Sequence, residues 1–350
     1  MSRSSILNFE SLEGFRPRFP ATLCGVVAII VAMEISFRLI PEEKLVPGKS
    51  RQGEISFMEH KILPNFPAPK IVFLGSSRIR RAIVPKYLDR QLGLPDNSTI
   101  NLGLASGRVF EALYLYEKNR EKLQGAKLVV LNIDEWQLSS GWVFGSLYEM
   151  HAPWSERMMF AEATGNRLML DGVFTTRQKL RVVPEAFSQA MGWRKPSTVD
   201  LIFDENNQIL PPARKGKDIG DTEHYKTEID AFYSHFQIHP VMLGHVERLA
   251  KLVKESGGTF VLMQLPNRDA YQAEVNKQKG AEYAQHIATL KGLAQHLKVP
   301  LCLYDHPTDC GLTDASFEDY GHMNPAGAKL FTEYMATLIK SKKWLDRTAF

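Results

Sequence analysis

A serine that closes a strand, and an aspartate placed three residues before a histidine, are the residue types that make a nucleophile and its base. After Lys70 this chain of 350 residues runs IVFL and stops at Gly75-Ser76-Ser77-Arg78. Near the C-terminus stands FEDYGHMNPAGAKLF, in which Asp319 precedes His322 by three and Asn324 and Pro325 can open a helix. A serine hydroxyl is a poor nucleophile at neutral pH and needs a base. An imidazole can take its proton, and a carboxylate in the same turn can fix the tautomer and stabilise the imidazolium. Ser77 and His322 are far apart in the chain, but strand ends of one sheet converge. Taken singly, the first stretch also fits a polar turn and the second a surface pair.

Placing these groups requires a sheet. Strand-like apolar runs occur at 70–74, 99–104, 128–133, 259–265 and 301–304, separated by helical patterns at 109–123, 241–256, 270–297 and 325–340. Short apolar strands alternating with amphipathic helices predict an α/β fold, a mostly parallel sheet with helices on both faces. Functional groups in such sheets gather at the carboxyl ends of the strands, where Ser77 lies. The predicted domain covers residues 70–350 and is led in by a Pro- and Gly-rich linker over 41–69. Residues 138–238 break the alternation and read as an inserted subdomain. Its Trp142, Trp154 and Trp193 fit core packing or stacking on sugar faces.

Residues 19–40 are apolar apart from Glu34 and Arg38, roughly the length that a membrane-crossing helix needs. Arg3, Arg16 and Arg18 ahead of them favour a cytoplasmic segment over 1–18, although Glu10 and Glu13 weaken the bias. The expectation is an uncleaved signal-anchor, with a buried or amphipathic helix of a soluble protein as the alternative. A net charge of +4, with no basic arm, argues against nucleic acid. Three cysteines make neither a disulfide framework nor a zinc site, and whether Cys302 and Cys310 pair is left open. His235 and His239 are four apart, but Pro240 follows and a third ligand is missing, so no metal site is expected. Phosphate-binding glycine loops are absent from the strand ends and no cofactor is implied.

The blocks together are more specific than any one of them. Gly-x-Ser after the first strand, Asn101-x-Gly103-x-x-x-Gly107 after the second, a polar turn after the third and Asp-x-x-His before the last helix resemble the SGNH, or GDSL-like, hydrolases. The form Gly-Ser-Ser-Arg, Asn-Leu-Gly-Leu and Asp-x-x-His-Met-Asn-x-x-Gly-Ala is similar to a membrane-anchored bacterial branch. That branch includes alginate O-acetyltransferase-like and teichoic acid D-alanine transfer proteins. The resemblance covers residues 70–136 and 240–340. It implies an SGNH/flavodoxin-like three-layer fold with Ser77 as nucleophile, His322 as base and Asp319 as its partner. The oxyanion hole would use the backbone N–H of Ser77 and that of Gly107, with Gly103 the competing alignment. Its third donor departs from the family's Gly-x-Asn-Asp. Here LNIDEW places Asp134 at the asparagine's position, where an ionised carboxylate cannot donate. Asn132 is the alternative, and orienting Arg78 or holding an acceptor hydroxyl is another task for Asp134. Arg78 and Arg80, with Arg81, would hold an anionic substrate group or form ion pairs.

The resemblance implies a serine O-acyltransferase or esterase outside the cytoplasm, on the cytoplasmic membrane. Its partners would be an acyl donor, a polysaccharide or glycan acceptor and a membrane-bound O-acyltransferase. A non-catalytic assembly or polysaccharide-binding protein on the same fold is the competing reading.

Overall fold

The strand β1 (Ile71–Leu74) reads IVFL, β2 (Thr99–Asn101) follows it, and β3 (Leu128–Asn132) reads LVVLN; every residue of β1 and β3 is buried. Strands apolar on both faces need cover on both, which crossover helices supply. The computed structural model describes residues 21–39, 54–139, 155, 202–203, 209–210 and 222–346. Within them β4 (Ile202–Phe203) and β5 (Ile209–Leu210) form an antiparallel pair in the insertion. The strands β6 (Thr259–Gln264) and β7 (Leu301–Leu303) complete a parallel five-stranded sheet in the order β2-β1-β3-β6-β7. The expected α/β class and parallel sheet are found, and the chain reverses its direction of travel at the β1/β3 boundary.

Side chains alternate faces along each strand. Val72, Leu74, Val129, Leu131, Phe260 and Leu262 enter one core, and Ile71, Phe73, Leu128, Val130, Val261 and Met263 enter the other. Before β1 comes a strap of α2 (Glu54–Phe57), a π-turn (Met58–Ile62) and a 3₁₀ turn (Leu63–Asn65). After β1 come α3 (Ser77–Ala82) and α4 (Pro85–Leu92); after β2 come α5 (Val109–Lys118) and α6 (Arg120–Leu123). The insertion ends in α7 (Thr222–Tyr233), and the domain continues with α8 (Pro240–Glu255), α9 (Asp269–Leu297) and α10 (Pro325–Lys342). Helices α5 and α8 cover the first face, while α3, α4 and α10 cover the second. Helix α9 breaks at Lys279 (φ −138°), so that Tyr271 and Val275 join a separate aromatic cluster while Leu290 and Leu293 reach the first core.

Two sequence expectations change. The linker expected over 41–69 belongs to the domain from Glu54 onward: Ile55, Met58, Ile62, Leu63 and Phe66 are buried in the first core. Its turns are too short and irregular to show a helical period. The expected span 19–40 is helical as α1 (Ala21–Leu39), 19 residues or roughly 28 Å of rise, against a hydrocarbon core of about 30 Å. Among the described residues no helix is long and apolar enough to cross a membrane. The α1 side chains Leu23, Val26, Val27, Ile29, Ile30, Val31 and Ile35 are nevertheless exposed.

Ser139 and Ile238 pair in an antiparallel bridge at the base of the insertion, and β5 runs beside α3. Trp142, Trp154 and Trp193 lie outside the described residues. Cys24, Cys302 and Cys310 are free thiols; the buried Cys310 donates through Sγ to the Pro307 carbonyl.

Candidate active site

Gly75 ends β1 with φ +139°, a region that L side chains rarely adopt, and a Cβ there would lie 2.8 Å from the Asn132 carbonyl oxygen. That turn releases Ser76 and Ser77 at the carboxyl edge of the sheet, beside the β1/β3 reversal where such sheets hold ligands. Ser76 caps α3: its Oγ accepts from the Arg78 N–H at 3.1 Å and donates to Asp134 Oδ2. Ser77 is thereby the first residue of the helix, with its side chain only partly buried.

His322 arrives from the other end of the chain. Ser77 Oγ lies 2.8 Å from His322 Nε2, and His322 Nδ1 lies 2.8 Å from Asp319 Oδ2 and 3.0 Å from Oδ1. Asp319 Oδ1 also accepts from the backbone N–H groups of Gly321 (3.1 Å) and His322 (2.8 Å). Burial pushes the Asp319 carboxyl up, but His322 and these hydrogen bonds outweigh it and hold the group well below the usual carboxylate range. An ionised Asp319 facing Nδ1 places the imidazole proton there and leaves Nε2 free to accept from the Ser77 hydroxyl. Asn324 caps α10 by accepting from the Gly327 N–H, fixing the loop after His322.

The expected oxyanion donors fare differently. The Ser77 N–H, first in its helix, has no intrahelical partner by geometry and none among the described residues. The Gly107 N–H is committed to the Leu104 carbonyl at 3.0 Å, and the competing Gly103 N–H to Asn101 Oδ1 at 3.1 Å. Neither is free, because the loop after β2 folds into a tight turn with Ser106 at φ +51°. Asn132 and Asp134 are fully buried. Asn132 Nδ2 donates to Asp134 Oδ1 at 3.0 Å, and Asp134 also receives Arg78 and Ser76. Asp134, ionised, has no hydrogen to donate, and Asn132 spends one of its two amide N–H groups on it. The two hold buried polar groups together instead.

Arg78 and Arg80 are not anion-binding groups at the mouth of the site. Arg78 is 3% exposed and makes five hydrogen bonds, while Arg80 pairs with Glu54 and Arg81 with Glu318. Burial pushes the Arg78 guanidinium down, but Asp134 and Glu135 overcome this and keep it charged. Among the described residues no cluster of three His, Cys, Asp or Glu could hold a metal. His239 caps α8 with Nδ1 and His235 sits at φ +50° outside a helix, so the two share no helical face.

Sequence reasoning missed several groups. Glu54 joins Arg80 to the Ala105 N–H, tying the strap to the loop after β2. Gln137 joins the Asp134 N–H to the Gly107 carbonyl, locking the third block against the second. Tyr320 stands beside His322, ring centres 6.0 Å apart, and packs on Tyr271 and Phe232. None of these lies in a periodic pattern; only the proximity of Glu135 and Gln137 to the third block hints at them.

No protein-family model and no curated protein matches the chain. Among solved structures it is similar to a protein from Bacteroides fragilis assigned as an acylhydrolase. The identity is 14% and the TM-score 0.41, over 81% of this chain and 96% of that one. It is also similar to a GDSL-like lipase from Bacteroides thetaiotaomicron, at 12% identity and a TM-score of 0.36 over 85% of this chain and 99% of that one. Likeness this distant carries no argument about activity. What the site can do rests on its own geometry.

Proposed function

We propose that the chain is a serine-dependent acyl hydrolase or acyltransferase using Ser77, His322 and Asp319. One observation carries the reading: an unbroken line of contacts from the Ser77 hydroxyl through the imidazole to a partly buried carboxylate. Ser77 Oγ attacks the acyl carbonyl while His322 Nε2 takes its proton. The oxyanion forms toward the Ser77 N–H at the start of α3. Collapse expels the leaving alkoxide, which takes the proton from Nε2 and leaves an acyl-serine. A water or a sugar hydroxyl then gives its proton to Nε2 as it attacks the ester carbonyl. Collapse breaks the bond to Ser77 Oγ, which takes that proton back as the acid or acylated sugar leaves.

The finer reading comes from the motif resemblance. It takes an acetyl group as the cargo, an envelope polysaccharide or glycan as acceptor and a membrane-bound O-acyltransferase as the source of the acyl group. The domain then works on the outer face of the cytoplasmic membrane. The exposed apolar side chains of α1 support attachment to that membrane. Full-length protein in detergent is expected to release 4-nitrophenol from 4-nitrophenyl acetate, with the activity lost in Ser77→Ala and in His322→Ala. An unchanged rate in either variant rejects the serine mechanism. Adding sugar acceptors then separates transfer from hydrolysis, and carbonate extraction of membranes tests the attachment.

A second reading, a non-catalytic assembly protein, draws on one observation: Asn132 and Asp134 serve the interior rather than an oxyanion. A folded protein inert toward esters and fluorophosphonates is the outcome that favours it.

A further inference from the structure

Arg78 follows the nucleophile directly, and Gly321 directly precedes the base. The two are bonded: Arg78 Nε donates to the Gly321 carbonyl at 3.3 Å. We infer that Arg78 is a positioning residue that sets the register between Ser77 and His322 through this bond, an inference that rests on the serine-triad reading.

A guanidinium has five N–H donors in a rigid plane, and here each has an acceptor. Nη1 donates to Asp134 Oδ1 at 2.9 Å and to Glu135 Oε2 at 3.4 Å. Nη2 donates to the carbonyls of Leu265 at 3.0 Å and Pro266 at 2.8 Å, and Nε takes Gly321. One planar group therefore joins the nucleophile turn, the ends of β3 and β6, and the histidine loop. The Gly321 peptides are held at both ends, the N–H by Asp319 and the carbonyl by Arg78. Gly321 is shaped for this contact, since a Cβ there would lie 2.8 Å from Arg78 Nε and 3.1 Å from Cζ. The remaining bonds of Asp134, to Ser76 and Asn132, fix the carboxylate on which the guanidinium rests. The third-block aspartate thus acts on the site through the arginine rather than on the substrate. A lysine, with one ammonium on a flexible stem, cannot span the same acceptors.

The test uses full-length protein carrying Arg78→Lys or Gly321→Ala, which disturb the bond from opposite sides. Each variant is checked for folding by circular dichroism and thermal melting. In 4-nitrophenyl acetate hydrolysis kcat is expected to fall about 100-fold, the loss that a displacement near 1 Å brings, with KM within about twofold. The downfield ¹H NMR resonance of the His322 Nδ1 proton is expected to broaden or shift in both variants. A kcat within about threefold of wild type in a folded variant, or an unmoved resonance, overturns the inference. Loss of fold in both variants overturns it too, since the arginine would then hold the domain rather than the register. If the wild-type protein itself is inert toward esters and fluorophosphonates, the serine reading fails. The resonance then still decides whether Arg78 positions His322.

Discussion

Replacing Asp319 with asparagine separates a working triad from three polar side chains that happen to touch. Oδ1 of Asp319 accepts two backbone N–H groups, from Gly321 at 3.1 Å and His322 at 2.8 Å. An asparagine at this position must keep its carbonyl oxygen there, because its amide nitrogen cannot accept. Its NH₂ group therefore takes the place of Oδ2, 2.8 Å from His322 Nδ1. Facing a donor, Nδ1 gives up its proton, and the neutral imidazole then carries that proton on Nε2. Nε2 now donates to the Ser77 hydroxyl where it must accept, and the base is lost with little change in shape. A wrong tautomer of this kind lowers kcat about 10⁴-fold in a serine triad, or about 5.5 kcal/mol of transition-state stabilisation. Steady-state hydrolysis of 4-nitrophenyl acetate at pH 7 measures it, with KM expected to move little. A folded Asp319→Asn protein with kcat within about tenfold of wild type refutes the tautomer argument and the assignment of Asp319.

The same carboxylate predicts how stability depends on pH. Its folded pKa is depressed, so its contribution is present above the unfolded value near 3.9 and fades as the pH falls below it. The difference in urea midpoint between wild type and Asp319→Asn should narrow between pH 5 and pH 3; a constant difference contradicts it. Ser76→Ala removes a helix cap worth about 1 kcal/mol and leaves the buried Asp134 Oδ2 without its hydroxyl donor, a further cost of about 1–3 kcal/mol. Urea unfolding should show the sum, with Ser77 still reactive; a neutral change in stability contradicts it. Burying Ile55, Met58, Ile62, Leu63 and Phe66 contributes about 1.5–3 kcal/mol each, as much together as the whole stability of a typical domain, about 5–15 kcal/mol. A chain starting at residue 41 should fold and one starting at residue 67 should not, as judged by circular dichroism and proteolysis.

The sheet was legible because its signal is local. Strands predicted at 70–74, 128–133 and 259–265 appear as Ile71–Leu74, Leu128–Asn132 and Thr259–Gln264, each an apolar run bounded by polar or turn residues. The pattern 270–297 appears as Asp269–Leu297, with a kink at Lys279, next to Gly280, that the apolar periodicity alone does not show. Ser77, Asp319 and His322 could be found because a strand-end serine and an i, i+3 carboxylate–imidazole pair are themselves local patterns. Contacts made across the fold could not be found this way. Arg78 looks like a surface cation in a run of arginines. Only the fold brings Asp134, Glu135 and three carbonyls around it. Asn132 and Asp134 occupy positions where the motif resemblance puts a donor, and long-range pairing with Ser76, Arg78 and Leu265 engages them instead. The strap from Glu54 escaped notice because α, π and 3₁₀ turns in succession have no common period.

The central claim is that the Ser77 hydroxyl is an activated nucleophile. Fluorophosphonate treatment of the folded full-length protein, followed by peptide mass spectrometry, addresses it directly. The expected result is a single phosphonylated peptide modified at Ser77, formed in wild type and absent from His322→Ala. Folded protein that stays unmodified, or that is modified equally well without His322, contradicts the account.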